Sequence, residues 1–151
     1  MFYTYHRRKA RRVVRRIRKS PNRADYVAHK GAAREIILSR LEHFVREYAK
    51  LDPAYAAAMK FGRVSIRNQR SRWGSCSAQK NLNFNYRLVH LTPEFRDYVI
   101  VHELCHLVEL NHGLAFWTLI EQMIPNAHAL SHAIRRLPMD KVLPPVQNPV
   151  V

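Results

Sequence analysis

Cysteine is scarce in this chain: Cys76 and Cys105 are the only two among 151 residues. Two thiols cannot build a disulfide framework, so a reducing, cytoplasmic setting is expected. With four glycines and eight prolines the composition excludes collagen-like and fully disordered classes. No purely apolar run approaches the roughly 18 residues that a membrane span needs. The opening Met1-Phe2-Tyr3-Thr4-Tyr5-His6-Arg7-Arg8 lacks the apolar stretch of a secretory signal. What is present is 47% hydrophobic and 25% charged residues, enough to bury one core. The length suits one domain with a short arm.

Acid is absent from residues 1–23, which hold ten Lys/Arg; residues 24–151 hold sixteen bases against eleven acids. Two thirds of the net charge of +15 therefore sits in a basic N-terminal arm, 1–23. Ala10, Val13, Val14 and Ile17 fall at helical spacing between its arginines, the pattern of an amphipathic helix that forms on a polyanion such as nucleic acid, a ribosome or anionic lipid. The competing reading is a solvated tail that aids solubility. An organelle transit peptide fits less well, because serine is sparse.

Beyond Pro21-Asn22, residues 24–137 read as one globular domain and 138–151 as a Pro-rich tail. Ile37, Leu41, Phe44, Val45 and Tyr48 form one stripe of a helix from Asp25 to about Lys50, closed by Asp52-Pro53. Residues 54–60 can add a helical turn. Val64 and Ile66 mark a short strand, 70–77 reads as a polar turn, and Leu82, Phe84, Tyr86 and Leu88 alternate as a half-buried strand. Thr92-Pro93-Glu94 starts a helix with a capping hydroxyl, and the Phe95–Leu110 stretch is apolar almost all round, as in the middle of a core. Leu114–Ile124 and Ala127–Leu137 read as two further helices.

That central helix is interrupted by His102-Glu103-Leu104-Cys105-His106. At about 100° per residue, His106 lies about 40° from His102, with Glu103 about 60–100° from each. Two imidazoles a turn apart with a carboxylate beside them are the spacing a metal needs for two ligands and a base. The five-residue pattern is moderately specific alone; unpaired histidines and a glutamate in an apolar helix would be costly, which strengthens it. A further histidine, His112, would sit about 280° around a straight helix, so it reaches a shared metal only if the chain turns after about Leu110. Asn111 can terminate in the left-handed region and Gly113 loosens the turn. The ligand spacing is that of metzincin proteases, but Glu109 stands where they have glycine. Three protein ligands and one open position define a catalytic zinc; a fourth ligand would make the site structural. The alternative for each histidine is a hydrogen-bonded core or surface residue. Glu109 can support a histidine or be solvated, Cys105 reads as core packing, and Cys76 has a claim as a reactive thiol because Arg70 and Arg72 are near in sequence.

The residues resemble the YgjP-like metal-dependent hydrolases, zincin-type proteins related to the SprT/WSS group. The resemblance runs through Ser71-Arg72-Trp73-Gly74-Ser75-Cys76-Ser77, Asn81-Leu82-Asn83-Phe84-Asn85-Tyr86-Arg87-Leu88, Tyr98-Val99-Ile100-Val101-His102-Glu103-Leu104-Cys105-His106, Asn111-His112 and Phe116-Trp117, and covers roughly Tyr26 to Leu137. It implies an α+β, zincin-like fold: a small antiparallel sheet packed on a central HExxH helix with flanking helices. It implies His102, His106 and His112 as ligands of one Zn2+ and Glu103 as catalytic acid/base. It departs at the N-terminus, where family members carry a strand-rich region and this chain has the basic arm.

The reaction expected is metallopeptidase-type hydrolysis of a peptide or protein, with water activated near pH 7 and Glu103 shuttling its proton. The Leu82–Leu88 strand would act as an edge strand that binds extended peptide, with Asn83 and Asn85 near the substrate. Arg70, Arg72, Arg87 and His90 are candidates for stabilising the oxyanion, each against a structural or solvated reading. Two alternatives stay open. One is phosphoanhydride (nucleotide) hydrolysis on the same metal, with Arg70 and Arg72 on phosphate oxygens. The other is a nucleic-acid-binding protein with a structural or vestigial metal site. Three imidazoles also suit nickel, copper or iron.

Overall fold

The computed structural model describes residues 23–139. The arm helix and polyanion contact expected over residues 1–23 lie, apart from Arg23, outside the described residues, as does the expected tail 138–151 from residue 140 onward. Helix α1 (Arg23–Leu51) buries Ala33, Ile37, Leu41, Phe44 and Tyr48, spaced three or four apart as one stripe. Asp52 ends it and caps α2 (Pro53–Ala58), its carboxylate accepting from the Ala54 amide at 2.8 Å. Polar contacts help fix α1 on its neighbours. Tyr26 donates to the Ile66 carbonyl, Arg34 to the Val64 carbonyl, and Arg40 grips Asp97 with two bonds of 2.9 and 2.8 Å.

Strands β1 (Val64–Arg67), β2 (Gly74–Cys76) and β3 (Leu82–Asn85) form a sheet ordered β1-β3-β2. The sheet is mixed rather than antiparallel: β1 runs parallel to β3, and β2 antiparallel to it. Residues 68–73 cause this, because they carry the chain over the end of β3 and set β2 down on its far side. Two buried side chains hold that arch. Asn85 donates from Nδ2 to the carbonyls of Gln69 and Arg72, both at 2.9 Å, and Arg87 donates to the Gln69 carbonyl and Asn68 Oδ1 at 3.1 Å. The stretch read as a turn thus contains β2. The stretch read as one long strand bends after Asn85 into a 3-10 helix (Tyr86–His90), whose first free amide is capped by the Asn85 side chain. β2 and β3 are joined by a tight turn in which Lys80 takes the left-handed conformation, φ 59°.

Helix α3 (Pro93–Cys105) is the centre of the core, with Tyr98, Val99, Ile100, Val101, Leu104 and Cys105 buried. Pro93 occupies its first turn as expected, but the Thr92 hydroxyl makes no capping bond; Glu94 instead accepts from Asn126 at 2.6 Å. α4 (Leu114–Glu121) and α5 (Ala127–Ile134) close the remaining side through Phe116, Leu119, Ile120, Ala127 and Leu130. Among the described residues no helix is long and apolar enough to cross a membrane.

Candidate metal centre

α3 carries His102 and His106 one turn apart. It stops at Cys105, so that His106 is already the C-cap, five residues before the expected end. The tight turn is closed by His106 itself, whose Nδ1 lies 3.1 Å from the Glu109 carbonyl. Asn111 is not left-handed: among the described residues only Lys80 has positive φ. Glu109 therefore supports a histidine through its backbone and not its carboxylate. The early reversal brings His112 back over α3.

The three Nε2 atoms converge, with His102–His106 and His102–His112 separations of 3.1 Å. A carbonyl only accepts, so His106 Nδ1 carries the proton and its Nε2 presents a bare lone pair. Burial pushes the His102 imidazole down to about 3, and the charges of His106, His112 and Arg135 act in the same direction. Burial lowers His106 as well, partly opposed by its bond to the Glu109 carbonyl. Nitrogens packed this closely need either a shared proton or a cation between them. Two nitrogens on one tetrahedral zinc, each at 2.0–2.1 Å, stand about 3.3 Å apart, so the donor set fits a borderline divalent cation. The Phe116 ring braces all three imidazoles, with centroids 4.9, 4.8 and 4.7 Å from those of His102, His106 and His112. Tyr98, one turn back on α3, places its hydroxyl 3.3 Å from His102 Nδ1.

Glu103 is 6% exposed and lies under β2. Burial pushes its carboxyl up to about 8, against the lowering effect of Arg72. It faces a cleft of about 330 Å³ shared with His102, His112, Trp73, Trp117 and Arg135.

Of the residues expected to meet substrate, Arg72 lines this cleft. Asn85 and Arg87 do not: they are 0% and 3% exposed and hold the 68–73 arch. Asn83 sits on the other face of the sheet beside Arg67 and Ser75. Arg70 is exposed and is not part of the cleft lining. His90 packs at the far side against Asp25 and His29. β3 is the central strand, so it has no free edge; of the edge strands, β1 is covered by Tyr26 and Arg34 of α1, and β2 borders the cleft through Gly74. Cys76 is not activated, since burial and the nearby Glu103 raise its pKa. Cys105 is fully buried against Tyr48 as core.

Several participants escaped the sequence reading. Gly74 is one, although a glycine within a strand-length run signals close backbone approach. Tyr98 and Phe116 are others, each four residues from a histidine and hence on its helix face or beside its loop. Arg135 reaches the cleft from α5 with no local signal.

Among curated proteins none matches this chain. Among solved structures it is similar to the metallopeptidase zymogen abylysin of Pyrococcus abyssi, with TM-score 0.51 and 21% identity over 65% of this chain and 90% of that one, a likeness of fold. The family description "YgjP-like, metallopeptidase domain" matches residues 5–137, so the match reaches into the basic arm, beyond the Tyr26–Leu137 span over which the motifs show the resemblance. The chain belongs to the YgjP-like metallopeptidase family.

Proposed function

We propose that the chain is a zinc-dependent peptidase in which His102, His106 and His112 hold the cation and Glu103 is the general base. The single observation that carries the reading is the convergence of three Nε2 atoms at 3.1 Å with the Glu103 carboxyl beside them in the same cleft. When bound, the cation supplies Lewis acidity, polarising a carbonyl and making water acidic near neutral pH. Glu103 takes the proton from water and returns it to the leaving amine. Its buried position keeps the carboxyl basic enough for that work. His106 is held in the ligating tautomer by the Glu109 carbonyl, and His102 donates from Nδ1 to the Tyr98 oxygen.

Substrate capture moves from β3 to β2. Bonds from Asn85 N to Trp73 O and from Ser77 N to Asn81 O, on the residues flanking β2, set which of its residues pair inward with β3. This leaves the backbone groups of Gly74 and Cys76 pointing toward the open edge. An extended peptide added there passes over Glu103, and Trp73 and Trp117 offer it apolar walls. Arg72 and Arg135 border the same cleft and are placed to steady a developing oxyanion. The same arginines favour the second reading, hydrolysis of a phosphoanhydride.

The deciding experiment compares unfolded protein and nucleoside triphosphates as substrates for the zinc-loaded full chain and for Glu103→Gln. Peptide hydrolysis that falls by about a thousandfold in the variant while zinc content stays constant supports the reading. Hydrolysis that is unchanged, or confined to triphosphates, overturns it.

A further inference from the structure

A second set of donors lies away from the cleft. Asp25 and His29 occupy one face of the first turns of α1, four residues apart, and His90 ends the 3-10 helix packed against them. One donor atom from each lies within 4.8 Å of the others. His29 Nδ1 lies 2.9 Å from the Asp25 carbonyl and 3.0 Å from Asp25 Oδ1, so it carries a proton that a cation bound there would displace, and His90 Nε2 is 3.7 Å from Asp25 Oδ2. The two distances to the carboxylate bracket the separation of about 3.3 Å expected for neighbouring ligands of one zinc.

His90 gives this grouping its meaning. Its side chain is 4% exposed, and neither ring nitrogen has a hydrogen-bond partner. Leaving two buried polar atoms unmatched is costly, and an unmatched buried imidazole calls for a ligand. The rest of the surroundings is already organised. Tyr86 donates to Asp25 Oδ2 at 2.6 Å, which aims the carboxylate. The His29 ring stacks edge-on against that of His90, with centroids 4.8 Å apart. The nearby Arg87 guanidinium is committed to the 68–73 arch.

We propose that Asp25, His29 and His90 form a second divalent-cation site, for a borderline ion such as zinc, with these three side chains as its protein ligands. It would clamp the beginning of α1 to the segment that leads directly into α3. The mixed imidazole–carboxylate set suits zinc, cobalt or nickel, and not calcium.

The test uses full-length protein stripped by chelator, dialysed against Zn2+, and assayed for bound metal and thermal stability. Wild type should hold two equivalents. His29→Gln alters a side chain that is 35% exposed, so the fold is preserved; it should hold one, with affinity for the second equivalent reduced by about tenfold or more. His106→Ala should retain the Asp25–His29–His90 equivalent and still be stabilised by Zn2+, and adding His29→Gln to it should abolish that response. A wild type that binds one equivalent, lost in His106→Ala and unaffected by His29→Gln, overturns the proposal. Failure of the catalytic reading would show separately, in the His106→Ala and Glu103→Gln proteins.

Discussion

Gly74 and Glu103 occupy adjoining space with no room between them: a Cβ on Gly74 would fall 2.7 Å from both Cγ and Oε1 of Glu103. The Gly74 backbone has ordinary negative φ, so the constraint is contact and not conformation. The closeness keeps the carboxyl under the strand edge where substrate backbone would lie. Gly74→Ala should push β2 and α3 apart, costing about 1–3 kcal/mol in urea denaturation. Peptidase activity should drop by about tenfold or more at unchanged zinc content, because the Glu103 carboxyl, the proposed base, leaves its position.

The Tyr98 hydroxyl is the partner of His102 Nδ1. Tyr98→Phe removes it while keeping the ring that packs in the core. Zinc affinity, measured by competition with a chromophoric chelator, should fall by about tenfold. An affinity equal to wild type would show that the hydroxyl does not orient His102.

Stability of the zinc-stripped protein should depend on pH with a definite sign. The Glu103 carboxyl is raised from 4.5 to about 8 in the fold, so the folded state binds a proton that the unfolded chain has released between those values. The Glu103 contribution to stability therefore declines as pH rises from about 4.5 to about 8, by on the order of a few kcal/mol, and the net decline shows above about 6.5, where His102 no longer opposes it. His102 is lowered from 6.5 to about 3, so stability also falls as pH drops through that window. Glu103→Gln should abolish the alkaline decline and leave the acid one. Denaturation curves of the two stripped proteins that run parallel from pH 5 to 8 would contradict this assignment.

Asn85→Ala deletes both Nδ2 bonds that hold the arch and leaves the Arg72 carbonyl without that donor. The expected loss is about 2–4 kcal/mol by chemical denaturation. Activity should fall further than the folded fraction does, because Arg72 and Trp73 follow the arch into the cleft.

Much of this site is local and was legible. His102, Glu103 and His106 share a helix, and helical periodicity alone puts them on one side; the apolar residues around them place that helix in the core. The stripe on α1 and the strand at Val64–Arg67 follow from the same kind of periodicity. The Asn83-Asn85-Arg87 alternation, by contrast, suggested a solvated strand face. Asn85 and Arg87 are buried instead, because the peptide carbonyls of the arch supply the acceptors that water would have supplied.

Residue types and spacings by themselves determined the helical pair of imidazoles, the carboxylate beside them and the need for a reversal to recruit His112. They also fixed which helix is central, since hydrophobic periodicity reports burial directly. Only the tertiary structure decided that the reversal begins at His106, that β2 rather than β3 offers the open edge, and that Gly74 must be bare for β2 to cross Glu103. It alone brought His90 to Asp25 and His29. Those outcomes depend on backbone segments meeting across the fold, and a contact between distant segments leaves no period in the sequence through which it could be read.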